Sequence, residues 1–176
     1  MINSHKSKRV GKVIFSIEPV QTIEGAKIVD QLVQEIWPEI YIPIIGEEQV
    51  AYMLATYQSL ENIQQDIQKG DKYFILYEEQ RPVGYTAYRE EPGVFYISKL
   101  YLNQSTRGKG YGTQVFNWFE TLGAGKVLRL NVNKYNERGI AVYEHRGFTC
   151  VEACQNEIGQ GYIMDDYVYE KDLSKQ

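Results

Sequence analysis

The sequence predicts an α+β fold in a single domain, and three observations carry that prediction. Three β-rich runs follow one another between Lys72 and Leu102, joined by turns short enough to make consecutive antiparallel strands. Helical periodicities stand on both sides of them. A glycine-rich turn, R-G-K-G-Y-G from Arg107 to Gly112, then leads the chain from the last run into a helix. At 176 residues the chain is long enough for a substantial core, and it shows no repeat, low-complexity tract or linker.

The elements follow in order. Residues 1–9 form a polar tail expected to lack fixed structure, and Val10 to Val20 has strand character. Ile28, Val29, Leu32, Val33 and Ile36 recur at helical spacing, so a helix is expected from about Ile23 to Trp37, stopped by Pro38. The stretch Trp37 to Gly46 has two prolines and reads as a loop that packs against something. Val50, Met53, Tyr57, Leu60, Ile63 and Ile67 mark a long helical pattern from Glu47 to Lys69, ended by Gly70. Ser59 is placed to cap a second segment and break this helix in two. The three strands are Lys72 to Glu78, Pro82 to Glu90 and Val94 to Leu102. After the glycine turn a helix to Leu122 buries Val115, Phe116, Phe119 and Leu122. Leu128, Leu130 and Val132 alternate as a strand, another helix follows Asn136, and two strands close the chain near 148–155 and 161–170.

The glycine turn carries the first chemical signal. A turn between a strand and a helix start points backbone N–H groups into one concave space at the positive end of the helix dipole, which suits the pyrophosphate of a cofactor. A dinucleotide fingerprint would need glycine at position 113 or 115, where Thr113 and Val115 stand. A nucleotide-triphosphate loop would need glycine where Asn103 stands. Both readings fail.

Arg107, Gly110 and Gly112 match Q/R-x-x-G-x-G/A, and the turn resembles motif A of the GNAT N-acetyltransferase superfamily. Leu130 to Phe148 resembles motif B of the same family, with Asn136, Tyr143, Gly147 and Phe148 at the family's spacing. Gly139 replaces the usual alanine, which weakens the first helical turn by about 1 kcal/mol. The W-P-x-I-Y string and the closing M-D-D-Y-V-Y-E-K-D-L look similar to members that acetylate polyamines and other small amines. The resemblance implies the GNAT fold: a mixed, mostly antiparallel sheet with helices on both faces, splayed between its fourth and fifth strands to admit acetyl-CoA.

It also implies roles. Tyr143 occupies the position of the family's general acid, and a tyrosine with its ordinary pKa of about 10 stays protonated to donate to a departing thiolate. Amides of Gly108, Lys109, Gly110, Tyr111 and Gly112 are expected to hold the cofactor phosphates, with Arg107 adding charge. Leu100, Tyr101 and Leu102 lie on the strand that bulges in related enzymes and leaves amides for the thioester carbonyl. Asn136 resembles the asparagine that contacts the pantetheine region, and it also suits an N-cap. Relatives often carry a carboxylate base upstream of this Leu-Tyr-Leu; here Tyr96, Ile97, Ser98 and Lys99 stand there, and no base is assigned.

The leading reading is an N-acetyltransferase moving an acetyl group from acetyl-CoA directly to a primary amine, a small molecule such as a polyamine or amino compound. The alternatives are an acyl-CoA-binding regulatory protein without turnover, and an acetyltransferase of protein N-termini or lysines. The formal net charge of −4 argues against a nucleic-acid partner. No apolar run approaches a membrane span or a signal peptide, so a cytoplasmic location is expected. Cys150 and Cys154 would lie roughly 13 Å apart on a strand, beyond disulfide reach, and with His5 and His145 they do not support a metal site. The segment Trp37 to Ile45 is available to close the acceptor groove or to form a homodimer contact.

Overall fold

The computed structural model describes residues 5–6 and 13–175. Among these the chain forms β1 (His5–Lys6), β2 (Phe15–Pro19), α1 (Ile23–Ile45), α2 (Glu47–Tyr57), α3 (Leu60–Gln68), β3 (Lys72–Glu78), β4 (Arg81–Glu91), β5 (Val94–Leu102), α4 (Tyr111–Leu122), β6 (Val127–Asn133), α5 (Glu137–His145), β7 (Thr149–Gly159) and β8 (Tyr162–Asp172). The hydrogen-bonded strand order is β1-β2-β3-β4-β5-β6-β8-β7. Ladders are antiparallel from β1 to β4 and among β6, β8 and β7, while β5 and β6 run parallel. This is the mixed, mostly antiparallel sheet expected. The expected tail over residues 1–9 and the strand start at Val10 fall largely outside the described residues; within them, His5 and Lys6 pair with Ile17 and Ser16.

The chain divides into two compact units. The first holds residues up to Arg89 together with Lys99–Phe119. Its α1 is N-capped by Thr22, whose hydroxyl accepts from Gly25 N at 3.2 Å. The sequence expectation of a loop after Trp37 is wrong: α1 runs through Pro38 and Pro43 to Ile45. A proline removes a helix donor and crowds the preceding turn, at about 3 kcal/mol. The burial of Trp37, only 3% exposed, and its ring contact with Tyr41 at 4.4 Å offset that cost. The long helix expected from Glu47 to Lys69 is two helices, broken where Ser59 and Asn62 form a reciprocal capping box. Neighbouring residues on β3 point to opposite faces. Tyr73 donates to Asp66 of α3 at 2.8 Å, and Phe74 packs edge-on against Trp118 of α4 at 4.7 Å. So α3 and α4 cover opposite faces of this strand. On α4, Tyr111, Val115, Phe116, Trp118 and Phe119 are buried, whereas Leu122 is exposed, contrary to the periodicity.

The second unit holds Glu90–Ser98 and the residues from Glu120 onward. Here β5 pairs with β6 over Val94–Tyr96 against Val127–Arg129, and Ile97 and Ser98 have already left the ladder. This is the parting expected of the fourth and fifth strands of the seven predicted. Leu128, Leu130, Val132, Phe148 and Tyr169 form the core of the unit. The β7–β8 hairpin turns on Gln160 and Gly161, both at positive φ, the conformation a tight two-residue hairpin requires. Both cysteines are free, and His145 is exposed in the last turn of α5.

Asp166, on β8 opposite Asn133 and Cys154, is 8% exposed, and its Oδ1 has no hydrogen-bond partner. Burial, with the Asp165 charge adding, pushes its carboxyl up to about 6, while Lys134 acts the other way. A carboxyl whose folded pKa is raised binds more protons folded than unfolded, so stability falls as pH rises from about 4 to about 6. Asp166→Asn is therefore expected to raise stability at pH 8 by on the order of 2 kcal/mol. Thermal melts across this range check it; the variant should lose the decline between pH 4 and 6.

Candidate functional site

The glycine turn lies in the first unit. After β5, Asn103 donates its N–H to Val83 O at 2.9 Å, and Thr106 Oγ1 donates to Asn103 O at 2.8 Å, closing a 3-10 turn over Gln104–Thr106. Gly108 and Gly110 then take φ values of 77° and 80°, a region that strongly favours glycine. A Cβ built at Gly108, Gly110 or Gly112 meets nothing within 4 Å, so the turn presents bare backbone on an open side. As leading residues of α4, Tyr111 and Gly112 have amides with no acceptor inside the helix. These features fit a diphosphate. One expected donor is spent: Lys109 N–H bonds Thr106 O at 3.3 Å.

Two carboxylates hold the turn from distant parts of the chain. Glu78, at the end of β3, accepts from Tyr111 Oη at 2.6 Å, Lys109 Nζ at 2.8 Å and Arg81 Nη2 at 3.0 Å. Tyr111 is itself stacked on Phe15, with ring centroids 4.3 Å apart. The Lys109 and Tyr111 hydrogen bonds hold the Glu78 carboxyl down at about 2. Burial and that same bond push the Tyr111 phenol up to about 12. Arg107 is paired with Glu39 of α1 at 2.7 Å, so part of the charge expected from it is already neutralised within the protein. Sequence reasoning missed Glu78 and Glu39, since an isolated glutamate has no local signature.

Because the folded pKa of Glu78 is depressed, its contribution to stability is fully present above the ordinary carboxylate value and is lost as pH falls towards about 2. Glu78→Gln is expected to lower the thermal midpoint at pH 7 by a few degrees. It should also flatten the loss of stability on acidification below about pH 4.5. Circular-dichroism melts at pH 2.5, 4.5 and 7 check both.

The strand feeding the turn is tied to β4 at two points. Thr86 Oγ1 donates to Lys99 O at 2.5 Å, and Asn103 N–H donates to Val83 O. Gly84 permits this close approach. A Cβ at this position would lie 2.3 Å from Tyr101 O and 2.9 Å from Leu102 Cδ2. Leu100, Tyr101 and Leu102 are half-buried here. Gly84 was not singled out from the sequence, although a glycine inside a strand pattern is the usual mark of a close backbone approach.

The second unit carries the remaining predicted residues. Asn136 caps α5, its Oδ1 accepting from Gly139 N at 3.0 Å. A Cβ at Gly139 would meet Asn136 Nδ2 at 2.7 Å, so the departure from the family's alanine goes with this cap geometry. Tyr143 is half-buried on α5, its ring 6.1 Å from Phe148 in an edge-on contact. Its carbonyl accepts from the N–H groups of Arg146 and Phe148, both at 3.1 Å, which ends the helix.

With this geometry in hand, a family model described as the acetyltransferase (GNAT) family matches residues 30–148. The chain belongs to the GNAT acetyltransferase family. Solved structures of the same fold agree. PaiA N-acetyltransferase from Thermoplasma acidophilum, in complex with coenzyme A, is 20% identical with a TM-score of 0.67, covering 89% of this chain and 98% of that one. RimL, a ribosomal L7/L12 alpha-N-protein acetyltransferase in complex with coenzyme A, is 18% identical with a TM-score of 0.70, covering 96% and 98%. Arabidopsis thaliana Naa50, in complex with the bisubstrate analogue CoA-Ac-MVNAL, is 21% identical with a TM-score of 0.59, covering 90% and 98%. Curated proteins give no match. Among the described residues of this GNAT protein no helix is long and apolar enough to cross a membrane, and no three His, Cys, Asp or Glu side chains gather as metal ligands do.

Proposed function

We propose that this protein transfers an acetyl group from acetyl-CoA directly to the primary amine of a small molecule, a polyamine or an amino compound. The glycine turn carries the reading: two positive-φ glycines and a bare third one open the start of α4 to a diphosphate. Acetyl-CoA supplies an acetyl group activated as a thioester. The amides of Gly108, Gly110, Tyr111 and Gly112 bind its diphosphate, and Arg107 contributes charge once drawn from Glu39. Backbone amides of the Leu100–Leu102 segment stabilise the carbonyl oxygen as it gains negative charge. As the neutral amine attacks the carbonyl carbon and the C–S bond breaks, the proton that the nitrogen sheds passes to solvent, Tyr143 gives its own proton to the departing sulfur and regains one from solvent, and Asn136 combines its capping role with a contact to the pantetheine arm. That neither cysteine lies in the two motifs supports direct transfer. A second reading, acetylation of a protein or peptide α-amino group, draws support from the acceptors that the RimL and Naa50 structures name.

Calorimetry with coenzyme A and thiol release with a panel of amines test the proposal. Saturable binding and sequential kinetics are expected. Absence of binding, or a burst of free coenzyme A without acceptor alongside a stable acetyl-protein adduct, would contradict it.

A further inference from the structure

Asp166, in the second unit, stands on β8 between Asn133 of β6 and Cys154 of β7. Cross-strand partners share a sheet face, and neighbours along a strand alternate between faces. Tyr169, three residues on, therefore looks to the other face, where its hydroxyl donates to Glu144 of α5 at 3.0 Å. Asp166 thus lies on the face away from α5, the helix that carries Tyr143. β6 pairs with β5 only up to Arg129, whereas its ladder to β8 continues to Asn133. Among the described residues, the edge of β6 on the β5 side is therefore left without a ladder from Leu130 to Asn133. Asp166 sits one strand behind that open edge, about 5 Å away. Asn133 itself lies three residues before Asn136, the proposed contact to the pantetheine arm.

The fold gives this carboxyl no structural task. It is 8% exposed, and its Oδ1 makes no hydrogen bond. The charged and titratable groups that act on it are Asp165 of its own strand, Lys134 just past β6 and Cys154 of β7. Lys134 is itself bound to Asp165 at 2.6 Å. Native interiors pair nearly all such groups, and a buried, unpaired carboxyl that weakens the fold at neutral pH is characteristic of functional sites. A carboxyl held at about 6 is mostly ionised at pH 7 and still basic enough to take up a proton. Acetyl transfer needs such a group. The attacking nitrogen sheds a proton while the sulfur gains one, and the nucleophile and the leaving group stand on different sides of the carbonyl carbon. Tyr143, on α5, serves the sulfur from one face of the sheet. On β5, Tyr96 to Lys99 offer no carboxylate for the nitrogen. Asp166 offers one from the face away from α5.

We infer that Asp166 is the general base: as the N–C bond forms and the C–S bond breaks, its carboxylate accepts the proton that the acceptor nitrogen sheds and hands it on to solvent. This rests on the acetyltransferase reading and names the group through which that proton leaves. Thiol release is measured from about pH 5 to about pH 9 with spermidine, leucinamide and a peptide bearing a free α-amino group, for the wild type, D166N and K134A. Calorimetry with coenzyme A and thermal melts accompany it. At saturating amine, the wild-type kcat should rise through an acidic limb near pH 6. D166N should lose on the order of a hundredfold in kcat, and the limb with it, while binding coenzyme A normally and melting higher at pH 8. K134A lacks the ammonium that holds the Asp166 carboxyl down, so its limb should move up by about half a pH unit. If D166N does not fold, K134A carries the test, and a limb that stays in place overturns the inference. A D166N kcat within threefold of wild type, or a loss matched by weaker coenzyme binding, overturns it while leaving the acetyltransferase reading intact. A wild type that releases no thiol with any of the three amines overturns both.

Discussion

Replacing Tyr143 with phenylalanine is expected to lower kcat on the order of a hundredfold or more while leaving the affinity for coenzyme A unchanged. The substitution removes one oxygen and keeps the ring, so the edge-on contact with Phe148 and the helix end that Tyr143 shares with Arg146 and Phe148 should survive. What disappears is the proposed proton source for the leaving sulfur. The defect should therefore depend on the leaving group. An acetyl thioester of a more acidic thiol needs less proton donation, and the variant should recover much of the wild-type rate with it. Stopped-flow thiol detection gives kcat, and calorimetry gives the dissociation constant. A rate within threefold of wild type, or a loss explained entirely by weaker coenzyme binding, would leave Tyr143 as a packing residue.

The second large effect is expected from Gly84→Ala. The added carbon would sit 2.3 Å from Tyr101 O, a backbone atom, and 3.1 Å from Leu102 Cα, so β5 itself must move. Overpacking of this kind costs about 1–3 kcal/mol. The displaced backbone is the segment proposed to hold the reacting carbonyl, and displacement of about 1 Å at such a place can cost a hundredfold in rate. The variant should thus fold with a lowered thermal midpoint and lose far more kcat/KM than that loss of stability explains. Circular-dichroism melts and thiol-release kinetics on the same preparation check it. Near-normal activity would mean that β5 yields at Tyr101 without disturbing chemistry.

The two motifs were readable because their constraints are local. Positive φ at Gly108 and Gly110, the capping residues Ser59 and Asn136, and the periodicity of α4 and β6 each depend on neighbours a few residues away. The expected loop at Trp37–Gly46 failed for the opposite reason. Proline is a local veto on helices, and it was overridden by burial of Trp37 and by the ring contacts of Trp37 and Tyr41 with Tyr101, far along the chain. Leu122 was misplaced because periodicity finds a face but not where the covering layer ends.

Residue order alone therefore determined the family's two motifs, the order of helices and strands, and the positions proposed for phosphate binding and proton donation. Only tertiary structure decided what holds them. Glu78 on Lys109 and Tyr111, Glu39 on Arg107, and Gly84 beneath Tyr101 all join segments 17 or more residues apart. Local conformation follows from backbone sterics and short-range hydrogen bonds, whereas these contacts exist only after helices and sheet have packed.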